Sequence, residues 1–471
     1  MRADGPMQTT HASKFGAGGG TGAIIWTAVH ALYTLAIVVL AVLFSPWFGY
    51  QAIRYRKYIG SLRQRMGYLP VSFNLDADDS IWIHAVSVGE ALTARALIGD
   101  LRERYPGLRV FLSTTTLTGQ QVARNRLRDV DAVFFFPFDL PVFVNRTLRL
   151  VRPRLFIMME TEIWPNLLRA CRRTGVKAVL VNGRISQRSF PRYRLARGFF
   201  RRVLADVDRF CMQSDGSARR VIEIGADPAR VTVTGSLKFE SVENPAALAG
   251  RGAGRVLRFF RIPGGRPVFL AASTLKGEEQ AVLSAFAAVR RVQPTALLIV
   301  APRKPERFGE AESLARAEGH RVVRRTELAI DAEPRADVVI LDTIGELAQL
   351  FQVATVVFVG GSLVDHGGHN ILEPAVHGKP ILFGPYMQNF AEIAGQFLAS
   401  QAAVQVAGAD ELVDVVVRLS GDPVERARLG AAARALVEAN RGAKARTLEA
   451  IAAVLPPPGA RGVVRPFRRA N

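Results

Sequence analysis

The sequence has 471 residues, 49% of them hydrophobic, and its 62 lysine and arginine against 41 aspartate and glutamate residues give a formal net charge of +21. This length allows two domains with additional segments, and the charge indicates an anionic partner, which could be nucleic acid, lipid headgroups or a phosphorylated substrate. Only two cysteines occur, Cys171 and Cys211, which excludes a disulfide framework and a cysteine-based zinc site.

The N-terminal region separates into a tail and an apolar segment. Residues 1–22 are polar and rich in glycine, which predicts a disordered tail. Residues 23–48 contain no Asp, Glu, Lys or Arg, and Trp26 and Trp47 lie near the two ends of this segment. Basic residues follow directly: Arg54, Arg56, Lys57, Arg63 and Arg65. The positive-inside rule therefore predicts one transmembrane anchor with the rest of the chain in the cytoplasm, and a buried core helix is the alternative.

Strand-like apolar runs alternate with helical patterns in two series. The first series comprises 80–86, 109–113, 133–136, 155–159 and 178–181. The second comprises 267–273, 296–300, 338–341, 354–359 and 380–383. Such alternation is typical of βαβ units with a parallel sheet. The sequence thus predicts two Rossmann-like α/β domains, 49–245 and 246–455, with a cleft between them, and a flexible basic tail at 456–471.

Acidic side chains follow two predicted strands of the first domain, and a lysine lies where that domain ends. Glu90 opens a helix, and a carboxylate favoured by the helix dipole and a general base facing the cleft are equally good interpretations. Glu160 and Glu162 come directly after the strand at 155–159, where a capping role explains one carboxylate but hardly both. Lys238 could stabilise a leaving group or an anionic sugar carboxylate, or it could be a solvated charge.

A strand, two glycine pairs and a helix start follow one another in the second domain. Gly360 and Gly361 permit a sharp turn, and Asn370 is a good N-cap. Such a segment would present free N–H groups to an anion, which predicts the phosphate- and ribose-holding corner of a nucleotide-sugar site. Arg303 follows another strand and is a candidate for phosphate recognition, and residues 342–347 repeat the strand, glycine and helix pattern.

Two further clusters have competing interpretations. His366, His369, Glu373 and His377 lack the spacing of a zinc-binding helix, so we predict no metal site. Residues 190–202 mix aromatic residues with arginines, which is compatible with nucleic-acid binding. Because an anchor is predicted upstream, a surface that contacts anionic lipid headgroups is the better interpretation.

The chain resembles the 3-deoxy-D-manno-octulosonic acid (Kdo) transferases of Gram-negative lipid A assembly, roughly from Trp47 to Val454. The matching motifs occupy 84–90, 113–119, 136–139, 160–166, 182–186, 235–239, 301–308, 342–347 and 360–374. Ile371 departs from the family pattern, because family members commonly carry proline at that position.

The resemblance implies an inverting GT-B glycosyltransferase anchored at the cytoplasmic face of the bacterial inner membrane. It implies transfer of Kdo from CMP-Kdo to the lipid A precursor (lipid IVA) in lipopolysaccharide biosynthesis, with no metal or other cofactor and no nucleic-acid partner. It makes Glu90 the general base and associates Glu160 and Lys238 with transition-state stabilisation. The implied CMP-binding residues are Pro302, Arg303, Ile344, Gly345, Glu346, Asn370, Ile371, Leu372 and Glu373.

Two alternatives stay open at this point. Another GT-B enzyme with a different activated sugar and lipid acceptor is the first, and the motifs around Glu90 and Glu160 argue against it. A membrane-tethered nucleic-acid-binding protein is the second, and it is suggested by net charge alone, which is a weak signal.

Overall fold

The computed structural model describes residues 30–46, 59–127, 129–242 and 254–458, and the chain forms two compact units. The first unit comprises the chain up to Gly235 together with the part that follows Ala443, and the second unit is Ser236–Ala443. The predicted tail at 1–22 and most of the predicted basic tail at 456–471 lie outside the described residues.

The first unit contains a parallel sheet flanked by helices. Its strands are β1 (Ser80–His84), β2 (Arg109–Thr114), β3 (Ala132–Phe135), β4 (Pro153–Met159), β5 (Lys177–Gly183), β6 (Arg209–Met212) and β7 (Val231–Val233). Its helices are α1 (described from 30 to 46), α2 (Ile59–Arg65), α3 (Val88–Arg104), α4 (Leu117–Arg126), α5 (Pro141–Val151), α6 (Pro165–Thr174), α7 (Phe190–Leu195), α8 (Arg197–Leu204) and α9 (Asp215–Glu223). The seven strands lie in the order β3-β2-β1-β4-β5-β6-β7, and every neighbouring pair is parallel.

The second unit repeats this design. Its strands are β8 (Val268–Thr274), β9 (Leu297–Pro302), β10 (Val322–Arg324), β11 (Val338–Ile340), β12 (Val356–Val359), β13 (Ile381–Phe383) and β14 (Val404–Gln405). Its helices are α10 (Gly254–Leu257), α11 (Glu279–Val292), α12 (Phe308–Ala317), α13 (Leu347–Leu350), α14 (Leu372–Val376), α15 (Ala391–Ala399), α16 (Ala409–Gly421) and α17 (Pro423–Ala439). The strand order is β10-β11-β9-β8-β12-β13-β14, again with parallel neighbours.

Both sheets are covered on their two faces, which is why their strands are continuous apolar runs and do not alternate with polar residues. In the first sheet, Trp82, Phe111 and Phe156 are fully buried within one hydrophobic cluster. In the second sheet, the consecutive residues Phe269 and Leu270 belong to different clusters, because successive side chains of a strand point to opposite faces.

The predicted α/β class with two parallel sheets is confirmed, and every predicted strand is present. Four short strands were missed: β6, β7, β10 and β14. They are two to four residues long, and β7, β10 and β14 lie at sheet edges, so no long apolar run marks them in the sequence. The predicted cleft between the domains stays a prediction.

The start of the second unit differs from the predicted boundary between 49–245 and 246–455. The division falls between Gly235 and Ser236. Phe239, in the 3-10 helix Leu237–Ser241, is fully buried in a hydrophobic cluster of the second unit. This burial draws the segment around Lys238 into the second unit, whereas the sequence predicted that it closes the first.

The C-terminal helix α18 (Ala443–Val454) belongs almost entirely to the first compact unit, although the sequence predicted that the second domain extends to residue 455. From Lys444 onward the chain belongs to the first unit, where the Lys444 ammonium lies 3.0 Å from the Asp100 carboxylate. Tyr105 at the end of α3 donates its hydroxyl hydrogen to the carbonyl of Leu455. This return of the chain is not visible in any local sequence pattern, because the pairing partners lie more than three hundred residues apart.

Only part of the predicted anchor at 23–48 is described, and residues 30–46 of it are helical. One side of α1 contacts other residues of the first unit: the Tyr33 hydroxyl donates to Asp139 Oδ2 at 3.0 Å, and the Thr34 hydroxyl donates to Asn166 Oδ1 at 3.2 Å. The helix exposes Leu32, Leu35, Val38, Val39, Leu40, Val42, Leu43 and Phe44. Within the described ranges, none of the helices combines the length and the apolar character that a membrane crossing requires.

We expect Ile451→Ala to lower the free energy of unfolding by about 2–5 kcal/mol, because Ile451 in α18 is fully buried. Hydrogen exchange should become faster in β1 of the first unit and stay unchanged in β8 of the second. The control Glu449→Ala alters an exposed residue of the same helix and should change stability by less than about 0.5 kcal/mol. Faster exchange confined to β8 would show that α18 belongs with the second unit.

Candidate active site

Glu90 lies in the first turn of α3, directly after β1, and both of its carboxylate oxygens are held. Val86 N–H donates to Oε2 at 2.9 Å, and the Ser87 hydroxyl donates to Oε1 at 3.0 Å. Ser87 is also the N-cap of the helix, since its oxygen accepts the N–H of Glu90 at 3.4 Å. Glu90 therefore fulfils the helix-start interpretation, and its orientation is fixed by the same contacts.

The electrostatic surroundings of Glu90 also suit a general base. Burial is the main cause that raises the pKa of the Glu90 carboxyl to about 7, and the nearby carboxylates Glu160 and Glu162 raise it further. The hydrogen bonds from Val86 and Ser87 act in the opposite direction. A carboxyl group that titrates near neutrality can accept a proton in the working pH range, and such tuning is concentrated at functional sites.

Glu160 follows β4 in a strained conformation. Its φ of 57° lies in the left-handed region, which costs energy for a residue other than glycine and persists only when neighbouring contacts enforce it. Glu160 N–H donates to the carbonyl of Val181 at 3.0 Å, and its own carbonyl accepts the N–H of Arg184 at 3.2 Å. The Arg184 Nε atom lies 3.7 Å from Glu160 Oε2. The carboxylate is thus held at the carboxyl edge of the first sheet.

His84 at the end of β1 is fully buried and belongs to the same edge, although sequence reasoning assigned it no role. Its Nε2 lies 3.8 Å from Glu162 Oε2, and its Nδ1 lies 3.0 Å from the Ser113 hydroxyl oxygen. The ring stacks on Phe136 with centroids 3.8 Å apart. Burial lowers the pKa of His84, with Glu162 opposing, so the imidazole is neutral at pH 7. A histidine that closes an otherwise apolar strand was the available signal.

Asp139 caps the start of α6, the helix that follows Glu160 and Glu162 in the chain. Its carboxylate accepts the N–H groups of Asn166 at 3.0 Å and Leu167 at 2.8 Å, which are the first free donors of α6. Trp164, the N-cap residue, has no side chain that can accept them. The Tyr33 hydroxyl completes the set, and burial raises the pKa of Asp139 to about 6. Sequence reasoning found the motif at 136–139 without its capping role.

The second unit holds the predicted nucleotide-binding residues at the carboxyl edge of its own sheet. Pro302 is buried at the end of β9, and the side chain of the next residue, Arg303, is exposed. The main-chain N–H of Arg303 donates to the carbonyl of Thr274 at 2.9 Å. Lys238 Nζ donates to the carbonyl of Asn389 at 3.3 Å. These two cationic residues are the sequence-predicted partners of a phosphate and a leaving group.

The loop after β11 carries three predicted residues with different surroundings. Ile344 is 80% exposed, and Gly345 has a φ of 92° that favours glycine. The Glu346 carboxylate is occupied: Arg325 donates to Oε1 at 2.9 Å, and the Thr343 hydroxyl donates to Oε2 at 2.7 Å. Both oxygens of the Glu346 carboxylate therefore already accept hydrogen bonds within the protein, and a nucleotide would meet a carboxylate that has these partners.

The N-cap residue of α14 is Ile371, so the predicted N-cap Asn370 lies one residue before it, and the Asn370 side chain nevertheless contacts the first turn of the helix. Asn370 Oδ1 accepts the N–H of Leu372 at 3.1 Å, while Asn370 Nδ2 donates to Glu373 Oε1 at 3.1 Å. Burial raises the pKa of Glu373, and Asn370 and Arg303 oppose this effect. Ile371 and Leu372 are fully buried, so a ligand could contact them only through main-chain atoms.

The prediction that the loop after β12 has free N–H donors is wrong for the segment that begins at the first glycine pair. The N–H groups of Gly361, Ser362 and Leu363 all donate to the side chain of Glu278, at 2.7–3.0 Å. These donors are therefore not available to an external phosphate. Glu278 was not singled out in the sequence, because it lies more than eighty residues upstream of this loop.

The histidines considered as metal ligands do not form a cluster with other ligating groups. His366 and His369 have ring centroids 5.8 Å apart, and burial lowers the pKa of His369 to about 4. No group of three or more His, Cys, Asp or Glu side chains that could hold a metal ion occurs in the part of the chain that the structure describes. A metal-independent reaction stays a prediction.

The fold defines the class of protein. The structure of Anabaena Alr3699/HepE in complex with UDP is 12% identical, covers 80% of this chain and 100% of that chain, and has a TM-score of 0.50. This likeness shows the fold alone: two parallel-sheet α/β units of the GT-B-like kind. Residues 60–241 match the family described as 3-deoxy-D-manno-octulosonic-acid transferase (kdotransferase).

Related sequences then identify the family. The 3-deoxy-D-manno-octulosonic acid transferase of Haemophilus influenzae is 31% identical, over 88% of this chain and 96% of that protein. The enzyme of the same name from Bordetella pertussis is 36% identical, over 79% of this chain and 86% of that protein. The chain belongs to the Kdo transferase family of glycosyltransferases.

We expect Asp139→Ala to lower the free energy of unfolding by about 1–3 kcal/mol, because the N–H groups of Asn166 and Leu167 lose their acceptor. Hydrogen exchange at these two amides should become faster, and urea unfolding should measure the loss. The control Asp76→Ala removes an exposed carboxylate and should cost less than about 1 kcal/mol. Unchanged exchange at both amides would show that Asp139 does not cap α6.

Proposed function

We propose that this chain transfers Kdo from CMP-Kdo to a sugar hydroxyl of the lipid A precursor in lipopolysaccharide biosynthesis, with inversion at the anomeric carbon. The observation that carries the proposal is Glu90, whose carboxyl group is oriented by two hydrogen bonds and has a pKa raised to about 7. Membership of the Kdo transferase family supports the sugar that is transferred.

Glu90 is the general base of the proposed reaction. The acceptor hydroxyl gives its proton to the Glu90 carboxylate while the hydroxyl oxygen bonds to the anomeric carbon of Kdo. The bond between that carbon and the phosphate oxygen breaks, and CMP leaves with the electron pair. Each Glu90 oxygen accepts one hydrogen bond from the protein, from Val86 or from Ser87, so lone pairs stay available for the incoming proton.

Glu160 and Lys238 stabilise charge in this scheme. Positive charge develops on the sugar as the leaving group departs, and the negative charge of the strained Glu160 carboxylate stabilises it. Lys238 balances the negative charge of the departing phosphate. CMP carries a single phosphate, so side-chain cations are sufficient for this task without a metal ion.

The donor nucleotide occupies the second unit. The exposed Arg303 guanidinium binds the phosphate, because its planar donors match phosphate oxygens. Asn370 and Glu373 provide a donor and an acceptor for the ribose hydroxyls. Pro302, Ile344, Gly345, Glu346, Ile371 and Leu372 complete the proposed CMP site.

Helix α1 places the enzyme at its lipid acceptor. Its exposed apolar side chains favour contact with the inner membrane, and the remainder of the chain lies on the cytoplasmic side, where the basic aromatic segment at 190–202 contacts anionic headgroups. The ring of Tyr33 in α1 lies 5.8 Å from that of Phe199, so the two surfaces are neighbours in the first unit.

Glu90→Gln should reduce kcat by about 10²–10⁴-fold, because the amide cannot accept the proton of the acceptor hydroxyl. Transfer from CMP-Kdo to a lipid A precursor in detergent micelles, followed by mass spectrometry, measures this loss, and calorimetry should show unchanged CMP binding. The control Glu103→Gln alters an exposed residue of the same helix and should retain full activity. Normal transfer by Glu90→Gln would remove Glu90 from the mechanism, and absence of transfer by CMP-binding wild type would reject the sugar or the acceptor.

The pH profile provides a second test of the base. Because the carboxylate form is active, kcat/KM should rise with pH through an apparent pKa near 7 and then level off. Ser87→Ala removes a hydrogen bond that lowers the pKa of Glu90, so the rise should move to higher pH. Ser87→Thr keeps the hydroxyl and should leave the profile in place. A profile that does not respond to Ser87→Ala would assign the titration to another group.

A further inference from the structure

Glu278 is a fully buried carboxylate surrounded by main-chain donors. Its Oε1 accepts the N–H groups of Ser362 at 3.0 Å and Leu363 at 2.9 Å. Its Oε2 accepts those of Gly361 at 2.7 Å and Leu275 at 2.9 Å. The side chain of Glu278 has no exposed surface, and it enters the loop from the turn that precedes α11.

Three successive N–H groups that donate to the same carboxylate form an anion-binding concavity, of the kind that usually holds a phosphate. Here the protein supplies the anion itself. Gly361 and Ser362 are buried, so water could not replace the carboxylate without opening the loop. The conformation of residues 361–363, which we call the glycine loop, therefore depends on Glu278.

The glycine loop is packed too closely to shift independently. A Cβ atom at Gly360 would lie 2.8 Å from Glu278 Oε2, and one at Gly361 would lie 2.9 Å from His369 Nε2. Gly368 N–H donates to the carbonyl of Gly361 at 2.7 Å. Residues 368 and 369 are therefore placed by the glycine loop, and Asn370 follows them directly in the chain.

The next residue, Glu279, supports the loop that carries Arg303, on the other side of the proposed donor site. Glu279 is buried, and its carboxylate accepts the Thr274 hydroxyl at 3.1 Å and Arg307 Nη2 at 2.9 Å. The Thr274 carbonyl in turn accepts the N–H of Arg303. Two consecutive carboxylates thus support the two loops that carry Arg303 and Asn370.

We infer that Glu278 is a positioning residue for the nucleotide site: its carboxylate fills the anion-binding concavity of the glycine loop and holds Asn370 and Glu373 in place for the CMP moiety. This inference rests on the proposed function, because the CMP-binding roles of Asn370 and Glu373 belong to that proposal. Glu278 itself does not touch the nucleotide.

Calorimetric titration of the full-length protein with CMP tests the inference. Glu278→Gln offers one oxygen acceptor and turns an NH2 group toward the remaining N–H donors, so CMP affinity should fall by roughly 10- to 100-fold. The matched control Val289→Ala creates a cavity under the same helix, away from the glycine loop, and should lower the Tm without changing CMP affinity. Equal CMP affinity in wild type and Glu278→Gln would overturn the inference.

Chemical rescue separates positioning from general destabilisation. Glu278→Ala leaves the concavity without an anion, so added formate should raise its Tm and restore CMP affinity, with no effect on Val289→Ala. If formate does not rescue Glu278→Ala, and CMP affinity falls as much in Val289→Ala as in Glu278→Ala, then Glu278 only stabilises the fold and does not position the nucleotide site. If Glu278→Ala does not fold, Glu278→Gln alone decides through its CMP affinity.

The two proposals fail in different ways. Wild type that does not bind CMP would reject the proposed function, and the formate effect on the Tm of Glu278→Ala would still show whether the carboxylate fills the glycine loop. Wild type that binds CMP together with unaffected Glu278 variants would reject only the positioning role.

Discussion

Main-chain N–H groups at the carboxyl edges of the two sheets are the constraint on which both candidate sites depend. Where a parallel strand turns into a helix, these groups have no partner within the regular structure, and burial makes an unpaired donor costly. In this chain carboxylates accept hydrogen bonds from these groups. Glu90 accepts the N–H of Val86, Asp139 accepts N–H groups at the start of α6, and Glu278 accepts those of the glycine loop. The loops that carry the candidate site residues are thereby made rigid.

This solution has an electrostatic consequence, because each site contains negative charge before any ligand binds. In the first unit, burial raises the pKa of Glu90 toward neutrality and the nearby carboxylates Glu160 and Glu162 raise it further, so Glu90 is a better proton acceptor. In the second unit an anionic donor requires compensation, and Arg303 and Lys238 are the cationic residues that the proposal assigns to it. Carboxylate side chains thus both support the loops and shift the pKa of the candidate base.

The sequence predicted those features that depend on local pattern. The apolar runs gave two parallel sheets, and the position of Glu90 after β1 gave a helix start and a candidate base. The two interpretations of Glu90, a helix-start carboxylate and a general base, are compatible, since the capping contacts orient the same carboxylate whose pKa is raised. Local pattern failed for β10 and β14, which are too short to produce a periodic signal.

Contacts between distant residues could not be predicted in this way. Asp139 caps a helix that begins more than twenty residues later, and α18 returns to a unit that the chain had left at Gly235. Glu278 next to Glu279 resembles an ordinary acidic helix start, and nothing in its neighbours indicates a loop beyond β12. Such pairings depend on strand order, which brings β8 and β12 side by side although three strands (β9, β10 and β11) and the helices α11, α12 and α13 separate them in sequence.

The glycine loop shows why a correct pattern can indicate the wrong partner. Paired glycines after a strand do produce an anion-binding concavity, and the sequence is sufficient to predict it. The sequence does not reveal whether the anion comes from a ligand or from the protein, because that depends on the reach of one buried side chain. Once Glu278 occupies the concavity, the loop cannot close on a phosphate, so it acts as a fixed support for Asn370. In the proposed function, residues at the surface of that support recognise the nucleotide.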